Sequence, residues 1–201
     1  MTDAALDLPG PPGGAPAGLD RAGNELFHAL RLGTLLTLLG DLSDRAAPLF
    51  VLDAGCGTGY FARALDRCGH RVDAVDADEE AVERARAAGD GPRYSRARPD
   101  EWRGPWPYDV VLCADVLGRL RDDTERTAAL RNLASQVRLT GRLIVTDTET
   151  PVPRTRGDRV RHRPAACCRA ALEPLGLRHT ESRPYGFREV EAGFHVFTRI
   201  R

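Results

Sequence analysis

One stretch constrains this chain more than any other: Val51-Leu52-Asp53-Ala54-Gly55-Cys56-Gly57-Thr58-Gly59. An apolar run, Leu49 to Leu52, leads into an aspartate and three alternating glycines. The run is short and apolar enough to be a buried parallel strand. The glycines let the backbone turn sharply and approach a ligand with no Cβ in the way. Tyr60 to Cys68 then reads as a helix closed by Gly69. Strand, glycine loop and helix form a nucleotide-type ligand cradle. In an open α/β sheet such a loop lies beyond the carboxyl ends of the strands, where ligands bind.

A dinucleotide fingerprint requires G-x-G-x-x-G. Counted from Gly55, its third glycine would fall on Tyr60. The spacing here is D-x-G-x-G-x-G, which resembles motif I of the class I S-adenosylmethionine-dependent methyltransferases. The resemblance continues along the chain. His70 to Asp76 reads as a second strand ending in an acid 21 residues past Gly55. Tyr108 to Cys113 and Gly141 to Asp147 look like the family's fourth and fifth strands. The likeness is good over residues 45–150 and looser elsewhere.

That resemblance implies a doubly wound, Rossmann-like α/β fold with a seven-stranded sheet, mostly parallel, with an antiparallel C-terminal strand. It also implies S-adenosylmethionine as cofactor. Asp53 would orient the loop or meet the cofactor's ammonium end through water, and Gly55, Cys56, Gly57, Thr58 and Gly59 would cradle the methionine portion. Asp76, beside Ala77, would hold the ribose. Asp100 or Glu101 would receive the adenine amino group, with Trp102 against the ring, and Cys113 would end the fourth strand near the cofactor. A nicotinamide-dependent oxidoreductase remains an alternative, as does a non-methylating S-adenosylmethionine-binding enzyme or module.

The rest of the chain is organised around this core. Residues 1–18 are rich in proline and glycine and read as a disordered tail. Residues 19–201 read as one domain: N-terminal helices over 19–44, a cofactor-binding core over 45–150 and a substrate-side half over 151–201. Leucines 26, 30, 35, 38, 39 and 42 recur at helical spacing, while Gly23, Gly33 and Gly40 weaken the pattern and suggest a split into two helices. Asp78 reads as the cap of a helix reaching Ala88, and Asp122-x-x-Glu125 as the start of another. Pro164 fits the first turn of a helix running to Leu172, and 177–182 and 194–200 read as the last two strands.

Methyl transfer is an in-line displacement at an activated carbon, so position and desolvation matter more than a base. Three groups are candidate catalytic residues: His162, Tyr185 and Asp115. A histidine can take a proton at neutral pH, and Asp115 follows the fourth strand in the loop that, in the resembled family, faces the reacting methyl. His28, Arg119, Arg159 and Arg161 are candidate acceptor contacts. Residues 151–201 hold 11 arginines against 5 acids, which suits a carboxylate or phosphate on the acceptor. Net charge is zero and aromatics are 6%, which argues against a nucleic-acid surface. No metal site is expected from the spacing of the five cysteines. With no basic, apolar leader and no apolar run of about 18 residues, the expectation is a cytoplasmic protein off the membrane, monomeric or homodimeric, acting on a small molecule.

Overall fold

The computed structural model describes residues 18–43, 47–89, 91–120, 122–148, 154–156, 160–187 and 192–201, with the backbone alone at 41, 43, 148, 154–156 and 160–162. The expected tail therefore lies almost wholly outside the described residues, as does Arg159.

Nine strands and five helices are described. In chain order they are α1 (Arg21–Ser43), β1 (Phe50–Ala54), α2 (Tyr60–Arg67), β2 (Arg71–Asp76), α3 (Glu79–Ala87), β3 (Arg93–Arg96), β4 (Tyr108–Cys113), α4 (Asp123–Gln136), β5 (Val137–Thr148), β6 (Arg154–Arg156), β7 (Val160–His162), α5 (Ala165–Leu172), β8 (Leu177–Pro184) and β9 (Ala192–Arg199). Seven strands form one sheet in the order β3-β2-β1-β4-β5-β9-β8. β9 alone runs against its neighbours β5 and β8. The expected seven-stranded doubly wound sheet is present. The chain winds outward from β1 in one direction and from β4 in the other, so a crevice opens above their carboxyl ends.

Alternation along the strands builds a core on each face. Val51, Leu112 and Ile144 join Phe61, Leu65 and Val82, from α2 and α3, together with the buried leucines of α1. Leu52, Val111, Leu143 and Val145 turn the other way, onto Leu130 and Leu133 of α4 and Leu172 of α5.

The N-terminal segment corrects one expectation: α1 is a single helix of 23 residues, not two. Burying Phe27, Leu35, Leu38, Leu39 and Leu42 is worth about 1.5–3 kcal/mol per side chain. That outweighs the roughly 1 kcal/mol each that Gly33 and Gly40 cost. Thr34 and Thr37 also donate to the carbonyls of Leu30 and Gly33, both at 2.9 Å. A short hairpin, β6 paired with β7, follows β5. Pro164 caps α5 from outside, with ψ 140°, and does not occupy its first turn.

Candidate cofactor and acceptor site

The glycine loop sits over the crevice and is fixed at both ends. Gly55 and Cys56 donate to the carbonyl of Val75, at 2.7 and 3.0 Å. The Asp76 carboxylate accepts from the backbone N–H of Gly57 at 2.8 Å and of Asp78 at 2.9 Å. One side chain therefore joins the β1 loop to the start of α3, with Asp78 capping that helix through the Glu80 N–H. Two glycines are sterically required. Gly55 has φ +92°, and a Cβ there would overlap Val116 Cγ2 in the loop after β4. Gly59 has φ +81°, and a Cβ there would overlap the Tyr94 hydroxyl.

Above the loop lies a cavity of about 880 Å³, near the top of the roughly 300–1,000 Å³ range of small-molecule sites. It is lined by Gly55 and Gly57 of the loop, Asp76 and Ala77 after β2, Arg98 and Pro99 after β3, and Arg31, Tyr60, Asp115 and Arg119.

Arg31 is the most deeply buried charged side chain of that lining. It is fully buried, yet its Nη2 lies 2.6 Å from Asp115 Oδ2. The faces of Phe27, Phe61 and Tyr185 surround the guanidinium, with ring centres 5.1, 5.2 and 4.9 Å from Cζ. Such a desolvated cation over aromatic rings is well stabilised. Asp115 adopts φ 60°, rare for a residue with a side chain. Its N–H donates to Thr146 Oγ1 at 2.7 Å, the Thr146 hydroxyl donates back to Oδ1 at 3.3 Å, and Arg119 Nε donates to its carbonyl at 3.1 Å. The strained backbone is thus held from three sides, and both carboxylate oxygens are engaged.

Asp53 lies beneath the loop, 1% exposed. Burial, and then the negative charge of Asp76, push its carboxyl up to about 7, against a lowering by the Ala62 backbone and by Arg31. Burial also drives the thiols of Cys56 and Cys113 far above their ordinary range, so both stay protonated.

The other residues singled out from sequence fall in different places. Gly55, Cys56, Gly57, Thr58, Asp76, Ala77, Asp115 and Arg119 line the cavity. Asp53 and Cys113 are buried below it. Asp100, Glu101 and Trp102 are not among the lining residues; their neighbours Arg98 and Pro99 are. Arg98 holds Asp100 at 3.0 Å. Trp102 packs on the α4 side of the sheet, with its Nε1 donating to the Tyr108 hydroxyl at 3.3 Å. His28 is buried, its ring 5.3 Å from Phe27 and 5.4 Å from Tyr60. Tyr185 is a buried wall of the Arg31 cage, and burial raises its phenol far above the ordinary range. His162 and Arg161 are described by backbone alone, in β7. Arg31 was not singled out from sequence, although the signal was present. Phe27, Arg31, Leu35, Leu38 and Leu42 share one helical face, with a charge in the middle of an apolar stripe.

The antiparallel β9 separates this sheet from nicotinamide-binding domains, and a glycine loop closed by the acid of β2 places the fold among class I methyltransferases. The family model for a methyltransferase domain matches residues 26–179, and the chain belongs to that family. Nodulation protein S of Bradyrhizobium diazoefficiens is 31% identical over 120 residues, covering 58% of this chain and 56% of that protein. A ubiquinone biosynthesis O-methyltransferase of Rickettsia bellii is 29% identical over 123 residues, covering 59% and 50%. The chain spans about half the length of the curated relatives it matches. Among solved structures, magnesium protoporphyrin IX methyltransferase of Synechocystis with bound SAH superposes with a TM-score of 0.75 at 22% identity, covering 93% of this chain and 90% of that one. N-methyltransferase NodS of Bradyrhizobium japonicum superposes at 0.67 and 20% identity, covering 87% and 97%. No helix among the described residues is long and apolar enough to cross a membrane.

Proposed function

We propose that this chain transfers a methyl group from S-adenosylmethionine to an oxygen, nitrogen or carbon of a small molecule. The observation that carries the reading is the continuity of one cavity, from the Asp76-closed glycine loop to the Arg31–Asp115 pair. It is roomy enough for a nucleoside cofactor with an acceptor beside it. The relatives named for ubiquinone O-methylation and for N-methylation support a small acceptor.

The residues present fit the cofactor. Gly57, with φ +54°, lines the cavity and has no protein atom within 4 Å of where a Cβ would stand, so its bare backbone is open to a ligand. Asp76 supplies carboxylate oxygens for the ribose hydroxyls. Arg31, its charge already paired with Asp115, keeps a buried Nε with no hydrogen-bond partner among the described residues, a donor suited to the carboxylate of the methionine portion. Arg98 and Pro99 line the cavity next in sequence to the acids expected at the adenine, and Arg98 could donate to the ring nitrogens. When bound, the cofactor supplies a methyl group on a positively charged sulfur. The chain's own part is to orient and to exclude water. Tyr60 and Arg31 cover one side of the cavity, and Asp115 presents a fixed negative charge to the acceptor. Because both its oxygens are engaged, Asp115 is a better orienting group than proton acceptor.

The test is incubation of the protein with S-adenosylmethionine carrying an isotopic methyl label and a panel of small phenols, amines and carboxylates. Label in an acceptor, with stoichiometric demethylated cofactor, supports the reading. Cofactor consumption without labelled product across the panel, or unchanged cofactor beside a converted acceptor, contradicts it.

A further inference from the structure

A second polar cluster lies on the opposite face of the sheet, apart from the cofactor cavity. Arg126 on α4 is 3% exposed and Arg163, just before α5, is 4% exposed. Both converge on Asp147 at the end of β5. Arg126 Nη2 lies 2.9 Å from Asp147 Oδ2, and the Arg163 backbone N–H donates to Asp147 Oδ1 at 3.1 Å. Arg126 Nη2 also donates to Cys168 Sγ at 2.9 Å, and burial pushes that thiol up to about 12, so it brings no charge. Arg163 Nε pairs with Asp123 Oδ1 at 2.7 Å, but that carboxylate is 76% exposed and its charge is screened by water.

Three terminal guanidinium nitrogens are left over. Nη1 of Arg126 and both Nη1 and Nη2 of Arg163 are buried with no hydrogen-bond partner among the described residues. Each carries N–H donors removed from water, an arrangement folded chains rarely leave unmet. The same two arginines line a separate cavity of about 250 Å³, together with Asp123, Thr127, Cys167 and Ala171. Asp147 neutralises one guanidinium charge, and the cavity keeps a surplus of donors over acceptors.

The geometry points to a binding site for a small oxyanion, a carboxylate or phosphate group, held between Arg126 and Arg163. Planar guanidinium forks match such anions two oxygens at a time. The site lies close to the first cavity in the chain: Leu120 lines one and Asp123 the other. Three residues span at most about 11 Å. The oxyanion is therefore either a free ion or a group carried by the methyl acceptor. The site does not rest on the proposed methyl transfer, since anion binding is read without cofactor or acceptor.

The experiment follows the thermal midpoint of the whole protein in sodium phosphate, sodium acetate and sodium chloride at matched ionic strength. Phosphate or acetate should raise the midpoint above chloride by about 3 °C at ten times its dissociation constant. Arg163→Gln should abolish the difference. Ala171→Leu, which fills the cavity and keeps both guanidinium groups, should abolish it too and serves if the arginine variant does not fold. Equal midpoints in the three salts, or a shift retained in both variants, would overturn the site. The source is separated with an acceptor in hand. If Arg163→Gln raises KM about tenfold for an anionic acceptor and leaves a neutral analogue unchanged, the group is the acceptor's. If KM is unchanged while the salt effect is lost, the ligand is a free ion.

Discussion

Gly55→Ala probes the loop at the point where the structure leaves least room. Gly55 has φ +92°, a conformation that costs a residue with a Cβ about 1–2 kcal/mol. The new methyl would also overlap Val116 Cγ2, while Val116 Cβ stays at 3.3 Å. Forcing the two loops apart adds about 1–3 kcal/mol, as overpacking does elsewhere. The single variant should therefore lose about 2–5 kcal/mol. Val116→Ala removes the overlapping methyl and leaves the strained φ untouched. The double variant should recover about 1–3 kcal/mol of the loss. Urea denaturation of the four proteins, read as midpoint shifts at constant slope, gives the coupling directly. Additive losses, within about 0.5 kcal/mol, would refute the contact between the β1 and β4 loops that line the cavity.

Three further outcomes follow from named residues. Arg31→Met keeps the bulk of the side chain and strands the Asp115 charge, which is partly exposed at 24%; the stability loss should be about 2–3 kcal/mol, short of the 3–5 for a fully buried pair, with cofactor affinity down at least about tenfold by calorimetry. Asp76→Ala should leave the fold intact by circular dichroism and weaken cofactor binding at least about tenfold; unchanged affinity would remove Asp76 from the site. Asp53 holds its proton up to about pH 7 in the folded chain, against an ordinary carboxyl value of 3.8. Its contribution is fully present below about pH 4 and is lost as pH rises to 7, on the order of 4 kcal/mol across that window. Asp53→Asn should flatten the thermal midpoint over that range, and a wild-type midpoint that rises from pH 4 to 7 with the same slope in both proteins would contradict this origin.

Much of the cofactor side was legible because backbone chemistry writes itself locally. The alternating glycines, the acid ending β2 and the Asp78 cap each need a particular residue type at a fixed step, and the structure joins them through Asp76. Side chains that act through tertiary contact were harder to read. Asp100 and Trp102 lie near the expected adenine position in sequence, yet Asp100 pairs with Arg98, Trp102 donates to Tyr108, and neither lines the cavity. The continuity of α1 turned on burial energy that glycine counting does not register. Arg31 and Arg126 carried a readable signal that went unused: each is an arginine on the apolar face of its helix, and a charge there requires a partner in the fold.

Whether the loop between Asp53 and Gly59, with Asp76, holds S-adenosylmethionine is decided by calorimetric titration of the protein with S-adenosylmethionine, its demethylated product and NADH. Micromolar binding of the first two, none of the third, and loss of the signal in Asp76→Ala are expected. Binding of NADH alone, or equal binding by the Asp76 variant, would contradict that assignment.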